Sequence, residues 1–243
     1  MGELKTDIVY EFDIGLVFLL ITIHCFWRKA MLRCQKFIIN IICLFIFGIT
    51  IPSHAEAEIE VLIDIAESKG KIIAIIEGRE TVTFDLRPNE KVLWSGSRGY
   101  LGAFLTDQHF FVISTSLSAW RALPLRLDES GKGVASLSEY MALLVTKDRA
   151  VGFDATSNRF VETLLPIQDE LVAAEVERYV AVVITSSRAF GLATESSAFT
   201  EINLRTNETI EAIKLSYSKA TVRTSDRLLT FEASGSPWKE LRF

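Results

Sequence analysis

The chain has 243 residues, 49% of them hydrophobic and 23% charged, with a formal net charge of −5. That is length for one or two domains with a full core, and an acidic balance that argues against a nucleic-acid partner. Cys25, Cys34 and Cys43 are its only cysteines, so everything after them lacks both a disulfide framework and a thiol ligand set and must be stabilised by packing.

The excess apolar content sits at the N-terminus. Two apolar runs, 14–27 and 37–51, flank a basic stretch of Arg28, Lys29, Arg33 and Lys36. The second run has the layout of a secretory signal: a basic start at Met31, an apolar segment shorter than the ~20 residues of a spanning helix, then small residues at Ser53, Ala55 and Ala57. Cleavage is expected after Ala55 or Ala57. Residues 1–30 admit two readings, an upstream extension of a chain that begins at Met31, or one arm of a membrane hairpin with its basic loop in the cytoplasm. Either way residues 31–57 are a signal peptide or anchor, and residues 58–243 form a domain outside the cytoplasm, periplasmic or secreted. Membrane contact is then limited to an uncleaved leader. Beyond residue 55 the chain keeps 21 Lys/Arg against 27 Asp/Glu.

The domain repeats itself. Thr106 to His109, Thr146 to Arg149, Thr185 to Arg188 and Thr224 to Arg227 are one four-residue turn recurring at spacings of 40, 39 and 39. Each turn follows a strand rich in β-branched and aromatic residues, beginning at Tyr100, Tyr140, Tyr179 and Ser218, with a small residue (Gly102, Ala142, Ala181, Ala220) where neighbouring copies would crowd. A second strand runs on from the basic residue. After a polar turn, a third strand is marked by Trp120, Phe160, Phe199 and Trp238, followed in three copies by Glu162, Glu201 and Glu240. A fourth strand reads from residues 170–176 and 208–215.

Four short strands in about forty residues is the period of a propeller blade rather than of a helical or leucine-rich repeat. A shorter copy precedes these, with strands over 71–77 and 81–86 and with 91–94 as its third. Residues 58–66 alternate apolar and acidic side chains, and are expected to supply the missing fourth strand to the last copy by pairing with 237–243, which would close the ring. The chain thus resembles β-propeller repeat proteins over residues 58–243: all-β, five blades of about 39 residues, closed by an N-terminal strand. It lacks the Gly-His and Trp-Asp pairs of WD40 repeats and the paired glycines of kelch repeats, so the resemblance is one of architecture.

His109, Arg149, Arg188 and Arg227 share one position in successive copies, and a closed ring would gather them on one face as an anion site. The alternative is that each arginine pairs with a turn acid or carbonyl inside its own blade. Trp94 and Arg98, in the irregular stretch 88–99, are the candidates for an exposed anchor, since recognition tends to fall where a repeat breaks its pattern. The glutamates at 162, 201 and 240 read as solvated or turn-pairing groups, and the aromatics of the third strand as inter-blade core. His109 is the only histidine beyond the leader, which argues against a histidine-based metal site, and no glycine loop cradles a phosphate ahead of a helix. No catalytic residues, metal or cofactor are assigned. The expectation is an exported, non-catalytic interaction or scaffold module whose partner is a protein or a glycan. The alternative is a carbohydrate-binding, lectin-like or glycoside-hydrolysing propeller using the Trp94 region or acids near the axis.

Overall fold

The computed structural model describes residues 62–129, 133–234 and 236–243; the leader and both cleavage positions lie outside the described residues. The chain divides into Met1–Glu58 and Ile59–Phe243, and the second unit is the folded body described below.

Among the described residues every regular element is a strand, in five antiparallel sheets. The first sheet holds β1 (Ile63–Ser68), β2 (Lys71–Ile76) and β3 (Val82–Asp85). The second holds β4 (Val92–Arg98), β5 (Leu101–Thr106), β6 (His109–Ser114) and β7 (Arg121–Pro124). The third holds β8 (Val134–Leu137), β9 (Met141–Val145), β10 (Arg149–Asp154) and β11 (Arg159–Leu164). The fourth holds β12 (Leu171–Glu177), β13 (Val180–Thr185), β14 (Arg188–Ala193) and β15 (Thr200–Asn203). The fifth holds β16 (Ile210–Ser216), β17 (Lys219–Thr224), β18 (Arg227–Glu232) and β19 (Lys239–Arg242). Each sheet is a simple up-and-down meander. This is the blade of a β-propeller, repeated five times.

The phase of the blade differs from the sequence reading. The strand expected to end one copy opens the next sheet: β12 pairs with β13 (Val176 opposite Ala181), and β16 pairs with β17 (Leu215 opposite Ala220). The reason is loop length. Arg178 and Tyr179 alone separate β12 from β13, whereas 165–170 intervene between β11 and β12, and the shortest connection makes the hairpin. The strands that begin at Met141 and Val180 are therefore second in their sheets, and the inner position belongs to β4, β8, β12 and β16, which approach one another along the stack.

The same shift removes the expected closure. Residues 63–68 are not a spare strand for the C-terminus: β1 pairs with β2 (Ile65 opposite Ala74) inside the first sheet, and β19 pairs only with β18. Likewise Lys91 to Trp94 lead into the second sheet, and the third strand of the first sheet is Val82–Asp85. By register Ser68 to Lys71 is a fifth, degenerate copy of the Thr-x-x-Arg turn, since Ser68 lies opposite Lys71 just as Thr106 precedes His109.

Blades adhere through apolar layers between consecutive sheets. Ile63, Ala74 and Ile76 meet Ile113; Ile72 meets Phe104 and Phe111; Leu101, Ala103 and Leu105 meet Ala142, Leu144 and Phe153. Farther along, Leu143 and Val145 meet Val183 and Phe190, and Val182 meets Ala220 and Phe231. In the middle sheets the second and third strands are buried on both faces, so Val180–Thr185 is a continuous apolar run ending on the threonine. The two end sheets instead alternate, buried on one face and open on the other. Among the described residues no apolar cluster joins the fifth sheet to the first; Ile75 is 47% and Leu241 63% exposed.

Two glycines show how tightly the copies nest. A Cβ on Gly152 would stand 2.1 Å from the Leu192 side chain of the next sheet, and one on Gly191 would stand 2.7 Å from the Phe231 ring. The fifth sheet carries Thr230 at the same position.

Candidate functional site

The two ends of the strands carry different chemistry. At the end where the second strand turns into the third, the repeated threonine organises a carboxylate from the connector that enters the sheet. Glu90, Glu129, Asp169 and Glu208 accept hydrogen bonds from Thr106, Thr146, Thr185 and Thr224 at 2.6, 2.9, 2.6 and 2.6 Å. In three of them the carboxylate also accepts from the amide three residues earlier, Arg87, Arg126 and Arg205.

The basic residue completes each cluster. Arg149 donates from Nε and Nη2 to Glu129 (2.7 Å each), from Nη1 to Glu162 (2.8 Å) and from Nη2 to the Pro124 carbonyl (3.0 Å). Arg227 repeats the pattern with Glu208 (2.9 Å twice), the Asn203 carbonyl (2.7 Å) and Glu240. His109 Nδ1 lies 3.1 Å from Glu90 Oε1. Arg188 reaches only Glu201, at 3.2 Å, and is half-exposed. Burial pushes the Glu208 carboxyl up, but the Arg227 guanidinium, the Thr224 hydroxyl and the Arg205 amide outweigh it and hold it at about 2. Glu90 and Glu129 are lowered by the same balance. The four basic positions thus do not converge around an axis. His109, Arg149 and Arg227 fold back on connector acids and Arg188 on Glu201 of its own sheet, and because Pro124 and Asn203 belong to the preceding sheet, Arg149 and Arg227 fasten one blade to the next.

The opposite end carries aromatic rings. Tyr100, Tyr140 and Tyr179 stand at the entry to the second strand of consecutive sheets, and their rings stack at 4.7 Å (27° between planes) and 5.1 Å (23°). Arg178 lies over three rings, 5.5 Å from Tyr140, 5.4 Å from Tyr179 and 5.5 Å from Tyr217. Backbone contacts hold the turns at this spacing: the Tyr100 amide donates to Glu139 O (3.2 Å) and the Tyr179 amide to Tyr217 O (2.9 Å). Gly99, at φ 54°, permits the approach, since a Cβ there would fall 2.9 Å from Glu139 Cβ. The hydrogen bond to Tyr140 raises the Arg178 guanidinium above its usual value. Burial pushes the Tyr140 phenol up, yet Tyr100 and Arg178 hold it below its ordinary range. Glu139 is 4% exposed; its Oε2 and Arg178 Nε are buried without a hydrogen-bond partner.

Of the residues singled out in the sequence, Arg98 borders this aromatic row, its guanidinium half-exposed and 3.7 Å from Glu139 Oε1. Trp94 is half-buried on β4, packs against the layer of Leu101 and Leu105, and lies over Gly96. His109, Arg149, Arg188 and Arg227 are at the other end of the strands. The sequence reading passed over two sets: the tyrosines with Arg178, and the connector acids. Both leave a repeat signal, in Tyr100, Tyr140 and Tyr179 for the first, and in Leu86-Arg87 to Glu90, Leu125-Arg126 to Glu129 and Leu204-Arg205 to Glu208 for the second.

No family model matches the chain, and no curated protein matches it. Solved structures similar to it include the N-terminal domain of Nup159 (9% identity, TM-score 0.34, 74% of this chain and 58% of that one) and PorZ of Porphyromonas gingivalis (10%, 0.38, 75% and 27%). YCF48 bound to D1 peptide is a third (10%, 0.34, 76% and 68%). The chain thus spans less than two thirds of the first two.

Proposed function

We propose that the chain is an exported, non-catalytic interaction module that seats a partner protein on the turn face formed by Tyr100, Tyr140, Tyr179, Arg178 and Tyr217. The observation that carries this reading is the continuous ring stack across three blades with Arg178 laid over it. Tyrosine and arginine dominate the energetics of protein contacts, because they offer broad apolar surface and directed hydrogen bonds with few torsions to freeze. Here the rings are already ordered by one another, so little further entropy is lost on docking. Tyr217 (61% exposed) and Tyr100 (36%) offer contact surface at the two ends of the row. The two apolar runs before residue 52 support placement outside the cytoplasm, with an uncleaved leader as the membrane contact.

The test is in-cell crosslinking of the full chain, followed by partner identification, for the native protein and for Tyr217→Ser and Arg178→Met. A protein recovered with the native chain and lost with both variants is expected. The same protein set from all three would refute the assignment of this face. Glycan binding lost in the same variants would move the face to the lectin-like alternative.

A further inference from the structure

One copy of the recurring turn differs from the others in the residue that closes it. Arg149 and Arg227 are permanent cations, each clamped by a connector glutamate, a third-strand glutamate and a carbonyl of the preceding sheet. His109 holds the same position in the second sheet. Ala122 stands where Glu162 and Glu240 stand, opposite Phe111 as they are opposite Val151 and Leu229. Among the described residues the imidazole bonds to no acceptor on the first sheet; its one polar contact is Nδ1 to Glu90 Oε1 at 3.1 Å, with side chains 14% and 0% exposed.

We propose that this pair is an acid-tightened clasp between the first two blades: a proton taken up by His109 makes the contact charge-assisted and holds the connector down, and its loss loosens the first sheet. Glu90 is suited to this. Burial pushes its carboxyl up, but the Thr106 hydroxyl, His109 and the Arg87 amide outweigh burial and keep it below its ordinary range. It is thus ionised throughout the interval, roughly pH 5 to 8, in which an imidazole changes charge and a guanidinium does not. A buried carboxylate whose partner turns neutral is left with an uncompensated charge. Among the described residues no neighbouring element supplies a replacement. Strand β5 offers the Thr106 hydroxyl, β6 the Phe111 ring at 5.3 Å, and β7 Ala122 and Pro124. Asp107 of the same turn accepts from the Lys91 amide at 3.1 Å, and Arg87 and Lys91 on the connector are exposed. The stabilisation is complete where His109 is protonated and Glu90 ionised, and is lost as pH rises through the histidine range. The first sheet is the one to respond, since it has three strands and only one covered face.

Hydrogen exchange of the full chain at about pH 5.5 and 7.5, corrected for intrinsic rates, reads the attachment of the first sheet. Residues 63–85 are expected to lose about tenfold in protection at the higher pH relative to 180–193, the difference between a charged and a neutral donor. His109→Arg, which installs the residue of the sister turns, should give high protection at both values. His109→Gln should give low protection at both, and Glu90→Gln should remove the dependence with the histidine still present. Equal protection of the native chain at the two values, or a pH dependence that survives in any of the three variants, would overturn the proposal.

Discussion

The Glu208 carboxylate and the Arg227 guanidinium meet at two points, Nε to Oε1 and Nη2 to Oε2, both at 2.9 Å, with side chains 0% and 5% exposed. Such a pair does not by itself guarantee stability, because desolvating both ions offsets most of their attraction. Breaking it is another matter, since the surviving charge stays buried. Arg227→Met is expected to cost about 3–5 kcal/mol. Arg227→Lys, which offers a point charge in place of a planar fork, should recover only part of that loss. Arg188→Met, removing a half-exposed partner of Glu201, should cost less than about 1 kcal/mol. Denaturant midpoints of the three variants rank them; equal losses at 188 and 227 would contradict the fastening role.

Acid should weaken the blade connectors in a defined window. Glu208 titrates near 2 in the folded chain, against a usual 4.5, so the folded state binds its proton less readily than the unfolded one. The stabilisation is complete above the unfolded value and disappears as pH falls through about 2. It amounts to roughly 3 kcal/mol for this group, and Glu90 and Glu129 shift in the same direction. Unfolding followed from about pH 6 to 2 should show a steep loss below about 4.5, and Glu208→Gln should flatten it.

Glycine 191 is expected to be intolerant for a reason outside its own backbone. Gly191→Ala drives a methyl group into the Phe231 ring at 2.7 Å, and overpacking of this kind costs about 1–3 kcal/mol. Phe231→Leu in the same chain should return part of it. Thr230→Gly at the equivalent place in the fifth sheet relieves no contact, and its loss should stay near the ~1 kcal/mol that glycine costs inside a strand. Thermal melts of the three variants decide the point.

Gly99→Ala tests the aromatic row without touching a ring. The new Cβ meets Glu139 Cβ at 2.9 Å with φ positive, so the Gly99–Tyr100 turn must retreat from its neighbour, at a cost of about 1–3 kcal/mol. Partner crosslinking at the turn face should fall further than that modest destabilisation explains, whereas Gly70→Ala, at positive φ with open space around it, should lower stability and leave crosslinking unchanged.

The repeat was legible because Thr106, Thr146, Thr185 and Thr224 each perform one task, a hydroxyl bridging a hairpin turn and a connector acid, and a task repeated four times leaves a spacing. The propeller-blade architecture followed from that spacing. The phase did not, because the breaks at Arg178-Tyr179 and at 165–170 both separate strand-like runs, and periodicity alone cannot say which of the two closes a hairpin. Closure was misread for the same reason: once β1 is taken by β2, no strand among the described residues is left over to pair with β19. The tyrosine row escaped notice because stacking links residues about forty positions apart, each of which reads in isolation as an ordinary strand residue.

Thr230 carries a consequence for how such an array can change length. A duplicated repeat inserted between the third and fourth sheets would find Gly152 waiting before it and could present its own glycine to the sheet behind, so both seams would fit at once. The same repeat appended behind the fifth sheet would meet Lys219, Thr221, Arg223 and a branched side chain where a notch is needed. The stack is therefore directional, permissive to growth in its middle and resistant to it at one end, where Thr230 fills the glycine notch and Lys219, Thr221 and Arg223 replace apolar residues.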